Sequence, residues 1–240
     1  MRTQNLLRSL FVSMTFAPLS GCIIAQGGFE EQIFIEAGES MQLSLGISGC
    51  CYFIVPISAP ATWSIESGAP ATINAATGLL QINEDAPDGA SFTVHAGNLS
   101  STVTVYNLET RPFLGYWREE GQRLCDLSEE RTPTWPIEEI RFLPNGEFSV
   151  TWMPFEVYKD YWGTYTFDAE TRTITLSVED GNFIPEGIDG TGTFALDDAG
   201  QLILSDLWLG INDMREEPSV PSPGCGHRLS RTWLLSDFSG

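Results

Sequence analysis

A chain of 240 residues with 32 acidic side chains against 12 Lys and Arg has a formal charge of −20. That balance repels phosphate backbones and anionic headgroups, which excludes nucleic acid and a basic membrane-surface contact as partners. The length suits one large or two small domains, at about 100–200 residues each. No window of ten or more residues keeps a helical apolar period without an interrupting Gly or Pro. Short alternating runs of Val, Ile, Thr and aromatic residues recur instead, so the expected fold class is all-β.

Arg2 and Arg8 are the only charges before Cys22, and they precede an apolar run from Leu10 to Leu19. That run is about half the ~20 residues a spanning helix needs; a positive segment, a short apolar segment and small residues together describe an export leader. Leu19-Ser20-Gly21-Cys22 resembles the lipobox of bacterial lipoproteins. The resemblance implies that residues 1–21 are a signal peptide and that the Cys22 thiol receives a diacylglyceryl group. The new amine would be acylated with chains such as palmitate, leaving 22–30 as a lipidated tether. Two or three chains exceed what stable anchoring requires. Ile23 in place of Asp after the cysteine implies the outer membrane. Loss of two arginines and no acids with the leader would carry the charge from −20 to −22.

From 31 to 108, strands are expected at Ile33 to Glu36, Met41 to Leu45, Tyr52 to Val55, Thr62 to Glu66, Thr72 to Asn74, Leu79 to Ile82, Ser91 to Ala96 and Thr102 to Tyr106. Turn signals about every ten residues between them suggest a β-sandwich. Ala61 to Gly68, Ala71-Thr72-Ile73-Asn74 with Thr77-Gly78-Leu79-Leu80, and Pro87-Asp88-Gly89 before Phe92 to Ala96 resemble bacterial immunoglobulin-like domains. The resemblance implies a spacer or adhesive module without catalysis; Trp63 is read as the aromatic buried between its sheets. Adjacent Cα atoms lie about 3.8 Å apart where a relaxed disulfide wants about 4.4–6.8 Å, so a Cys50 to Cys51 bridge would be strained. With Cys125 and Cys225, four cysteines besides Cys22 allow three pairings. The intramodule choice, Cys50 with Cys51 and Cys125 with Cys225, leads among them, because export favours oxidation and each module holds two.

Thr110-Arg111-Pro112 marks a boundary, and six of the seven tryptophans lie in 109–240. Phe148, Val150 and Trp152 oppose Glu147, Ser149 and Thr151; Ile174, Leu176 and Val178 oppose Thr173, Thr175 and Ser177. Further strands are expected at Phe113 to Arg118, Ile137 to Leu143, Trp162 to Phe167, Gly192 to Leu196, Leu202 to Trp208 and Arg228 to Leu234. Tight turn signals such as Pro144-Asn145-Gly146 join them, so an antiparallel up-and-down barrel of about eight strands is expected. Leu114-Gly115-Tyr116-Trp117, Phe142 to Phe148, and Gly163 to Asp168 followed by Thr173 to Leu176 resemble the lipocalin-like domains of bacterial lipoproteins. The resemblance implies that Gly115 and Trp117 close one end of the barrel beneath an arginine, either Arg228 or Arg231. Trp152, Tyr161, Tyr165 and Trp208 could line a cavity or belong to a packed core, since eight strands permit either. Met153 to Asp160 is a candidate rim loop, and Asn212 to Gly226 a longer one that Cys225 would staple to Cys125.

His95 and His227 are the only histidines, and no nucleophile elbow, zinc-protease helix or phosphate loop occurs. Cys225-Gly226-His227 offers two ligands, too few for a metal site. Acidic doublets such as Glu119-Glu120 and Glu129-Glu130 lack calcium-loop spacing and read as a solubilising surface. The expected function is therefore non-enzymatic, with no cofactor or metal: an envelope lipoprotein whose spacer presents a barrel to a small apolar ligand or a protein partner. The alternatives are a structural or adhesive surface protein with a filled barrel and, last, a hydrolase using rim carboxylates.

Overall fold

The computed structural model describes residues 7–11, 32–48, 54–56, 62–97, 99–123, 129–152, 159–211 and 225–233. Cys22, Cys50, Cys51, Cys125 and the segments 153–158 and 212–224 lie outside them. The regular elements of the described residues are all strands, so the fold class is all-β. The chain divides into two compact units between Asn107 and Leu108.

The first unit contains β1 (Leu7–Phe11), β2 (Gln32–Glu36), β3 (Ser40–Ser48), β4 (Ile54–Pro56), β5 (Trp63–Ile65), β6 (Ala71–Ile73), β7 (Leu79–Ile82), β8 (Ser91–Ala96) and β9 (Leu99–Tyr106). One sheet runs β1-β3-β7-β6 with β4 also on β3, and the other runs β2-β9-β8-β5. Period-two alternation gives each sheet one apolar face. Ile33, Leu43, Trp63, Leu80, Phe92, Val94, Val103 and their neighbours from both sheets bury into a single core. Gly78 is fixed by that core: its φ is +75°, and a Cβ there would lie 2.7 Å from the Trp63 ring. Within the expected leader, β1 runs parallel to β3, with Leu7 opposite Gln42 and Phe11 opposite Gly46. An open strand edge pairs with an extended segment that reaches it.

The second unit contains β10 (Gly115–Arg123), β11 (Glu130–Arg131), β12 (Glu139–Phe142), β13 (Glu147–Thr151), β14 (Tyr161–Asp168), β15 (Thr173–Gly181), β16 (Thr191–Leu196), β17 (Leu202–Ser205) and β18 (Gly226–Trp233). Strands β10, β12 to β17 and β18 pair antiparallel in sequence order. The register from Tyr116 opposite Trp233 to Arg123 opposite Gly226 closes them into an eight-stranded barrel. β11 adds a short edge at the end of β10. Close approach of two backbones requires Gly163, where a Cβ would collide with the Ser177 carbonyl and the β14–β15 register shifts.

Antiparallel meandering sorts the connections. The tight hairpins after β12, β14 and β16 share one end of the barrel with the start of β10, and the longer connections lie at the opposite end. The expected strand from Leu202 to Trp208 stops at Ser205, because Asp206 adopts a left-handed φ of 56°. That turn carries Leu207, Trp208 and Leu209 across the long-loop end, where all three are buried. Asp tolerates this conformation better than most side chains.

Candidate functional site: the two ends of the barrel

At the hairpin end, the segment leading into β10 folds under the strands and buries Phe113 and Leu114. Trp117 is fully buried, and its indole N–H donates to the Phe113 carbonyl at 2.7 Å. The Arg231 guanidinium lies 4.4 Å from the Trp117 ring centroid and donates to the Pro112 carbonyl at 2.6 Å. Gly115 sits beside them, opposite Phe142. Arg228 takes a different place. It is three residues from Arg231, so strand parity turns it to the outer face. There it bonds Glu130 at 2.6 and 2.8 Å and Gln201 at 3.0 Å. The hydrogen bonds that Arg228 donates to Glu130 raise the guanidinium pKa further.

Rings occupy the adjoining interior. Phe113 meets Phe142, Tyr165, Phe167 and Phe194 edge-on, with centroids 4.8–5.6 Å apart. Such offset arrangements satisfy the aromatic quadrupoles. The Tyr165 hydroxyl is turned out of this cluster and donates to the Leu143 carbonyl at 2.6 Å. Trp152, Tyr161 and Trp208 belong to the long-loop end. The Trp152 ring lies 6.0 Å from both Tyr161 and Phe183, and its backbone N–H donates to Asp160 Oδ2 at 2.7 Å. All four residues named as pocket candidates are thus packed side chains. A cavity of about 340 Å³ opens elsewhere, at the hairpin end, among Glu109, Thr110, Pro112, Arg172, Phe194 and Leu196.

Opposite the arginine end, a buried polar chain crosses the barrel. Inward positions of β10 continue from Trp117 to Glu119, and those of β18 run through His227, Leu229 and Arg231. The side chains of Glu119 and His227 are completely buried, with Oε1 and Nδ1 2.5 Å apart. Glu119 Oε2 accepts the Ile137 N–H at 2.9 Å, and the Glu119 N–H donates back to the Ile137 carbonyl at 2.8 Å. His227 Nε2 accepts the Leu209 N–H at 3.1 Å. A backbone N–H can only donate, so Nε2 carries the lone pair and Nδ1 the proton, directed at Glu119. The ring is therefore neutral and the carboxylate ionised in this arrangement. Trp208 stacks on His227 with centroids 4.9 Å apart. The Tyr161 hydroxyl donates to the Leu209 carbonyl at 2.8 Å. Burial pushes this phenol well above its usual pKa, and the nearby Glu119 and Asp160 charges push the same way.

Both imidazole nitrogens of His227 are engaged, which leaves neither for a metal beside Cys225. Among the described residues, no group of three or more His, Cys, Asp or Glu could hold an ion. Glu119 was legible as inward by counting from Trp117, but its charge pointed outward; the deciding partner, His227, is 108 residues away. No family model, curated protein or solved structure matches the chain.

Proposed function

We propose that this chain is a lipid-anchored lipoprotein of the bacterial cell envelope without enzymatic activity. In this reading, residues 1–21 are cleaved, Cys22 is acylated and holds the protein in the outer membrane. The first unit is an immunoglobulin-like spacer, and the second is a lipocalin-like barrel with a filled interior that meets a protein partner on its outside. The observation that carries the barrel's role is the ring cluster around Phe113, which fills space a carried molecule would need. Support for a non-enzymatic role comes from the histidines: His227 spends both nitrogens on the fold, and His95 lies on β8 of the spacer. A Cys125 to Cys225 disulfide belongs to the same reading.

Carriage of a small ligand is the second reading, favoured by the cavity of about 340 Å³. Its size falls within the ~300–1,000 Å³ of ordinary ligand sites, and Arg172 would suit an acidic group on an apolar body. The two readings part on one experiment. The protein is isolated gently from its own membrane, and bound small molecules are extracted and quantified. An extract without a stoichiometric compound is expected; a reproducible one-to-one compound overturns the filled-barrel reading in favour of carriage. Cys22→Ala is expected to lose the membrane fraction, and an unchanged distribution would sink the anchor.

A further inference from the structure

We propose that His227 is a proton-operated latch that holds Leu209 against the long-loop end of the barrel and lets go of it when Nε2 is protonated. The inference is independent of the envelope reading. Its basis is a conflict of hydrogen-bond roles at one atom. In the structure, Nε2 is the acceptor for the Leu209 N–H at 3.1 Å. A proton on Nε2 converts that acceptor into a donor facing a donor, and the two N–H groups must separate.

The contacts at Nδ1 and on the ring face accommodate the charge. From β10, the Glu119 carboxylate at Nδ1 attracts an imidazolium. The stacked Trp208 face attracts it as well. From β14, Tyr161 bonds the Leu209 carbonyl through its hydroxyl, and burial together with the Glu119 and Asp160 charges keeps that phenol protonated. β17 brings no charged side chain to the ring, and Asp206, at the start of the crossing segment, is exposed. The proton therefore has stabilising partners on two sides, and the Leu209 bond is the contact it must break.

The backbone around Leu209 lets the release stay local. Trp208 is tied to Asp189 by two backbone hydrogen bonds of 2.8 and 3.0 Å, which do not involve the imidazole. Beyond it, Gly210 has a φ of +86° and gives the chain a turning point. Leu209 would keep only the bond from the Tyr161 hydroxyl to its carbonyl. The expected acid form is a barrel with intact walls, in which Leu209 has left its seat between β14 and β18.

Amide hydrogen exchange of the intact protein, followed residue by residue by NMR between about pH 7.5 and pH 5, tests this. Beyond the intrinsic change in exchange rate, protection at Leu209 is expected to fall about tenfold, the weight of one hydrogen bond. Ile140 and Val150 in the barrel wall should keep theirs. The nitrogen chemical shift of His227 Nε2 should change from the lone-pair to the protonated form with the same midpoint. His227→Gln keeps an acceptor near Nε2 that does not titrate, so it should make Leu209 protection independent of pH. Three results overturn the latch: unchanged protection at Leu209, equal loss at Ile140 and Val150, or loss at Leu209 while Nε2 stays unprotonated. The last two are read on the wild-type protein, so the test survives if the variant fails to fold.

Discussion

Arg231 covers Trp117 from the last strand of the barrel to the first, with its guanidinium 4.4 Å from the ring centroid and bonded to the Pro112 carbonyl. One side chain thereby joins the closing strand, the first strand and the segment beneath them. A partly desolvated cation over an aromatic face contributes about 0.5–2 kcal/mol, and a hydrogen bond from a charged group about 1.5–3 kcal/mol. Arg231→Ala should therefore lower stability by about 2–5 kcal/mol, read as a shift of the urea midpoint. Arg231→Lys should recover less than half, because an ammonium cannot cover the ring and reach the carbonyl together. Full recovery by Lys would mean that charge alone matters at this end.

Tyr161 ties the wall of the barrel to Leu209. Tyr161→Phe leaves a buried carbonyl without its donor and should cost about 1–2 kcal/mol. The phenol's raised pKa makes a separate prediction, with its sign fixed by linkage. The folded state holds the proton more tightly than the unfolded chain does. Stability from this group is thus complete below the unfolded value of about 10 and is lost as pH rises from there through the folded value. Urea midpoints measured from pH 8 upward should fall more steeply for wild type than for Tyr161→Phe. Parallel curves would remove Tyr161 as the source of alkaline sensitivity.

Gly78 and Gly89 separate conformational strain from collision in the first unit. Both have positive φ, 75° and 80°, but a Cβ at Gly78 would strike Trp63 while one at Gly89 meets nothing within 4 Å. Gly89→Ala should cost about 1–2 kcal/mol from the left-handed backbone alone. Gly78→Ala adds displacement of a buried ring, about 1–3 kcal/mol more. Chemical denaturation followed by exchange of the β8 amides checks the difference, and equal costs would show that Trp63 yields freely.

These positions also show what the sequence reveals and what it hides. Barrel strands are legible where one-sided burial writes a period of two into them: Ile174 and Leu176 on β15 are buried and Thr175 and Ser177 exposed, whereas on β13 Ser149 and Thr151 are buried along with Phe148 and Val150. Trp117 is fully buried, and only strand register, which the sequence does not carry, puts Arg231 rather than Arg228 opposite it. β11 is two residues long and leaves no periodic trace. The turn at Asp206 is hidden for another reason. Leu202 to Trp208 alternates well enough to pass for one strand, and only the closed barrel forces Leu207 to Leu209 across its end. Buried acids are the hardest case. Glu119 reads as surface charge until His227 and Ile137 are brought to it by the fold.

The proposed bridge between Cys125 and Cys225 extends a register already present. β10 and β18 pair antiparallel up to Arg123 opposite Gly226, two residues along the chain from Cys125 and one from Cys225. Cys225 is buried, at 2 % exposure. In the proposed envelope location oxidation would favour the bond, and closing a loop of about 100 residues would contribute about 4–5 kcal/mol in the chain-entropy model, usually less in practice. Cys225→Ser is accordingly expected to cost about 2–4 kcal/mol, read from urea midpoints without reductant. Reductant should lower the wild-type midpoint by a similar amount and leave the variant's unchanged. A peptide map under non-reducing conditions should recover residues around Cys125 linked to those around Cys225. Recovery of Cys125 joined to Cys50 or Cys51 instead would overturn the pairing, because a crossed link would tie the two units together rather than close the second one at the end of its ladder.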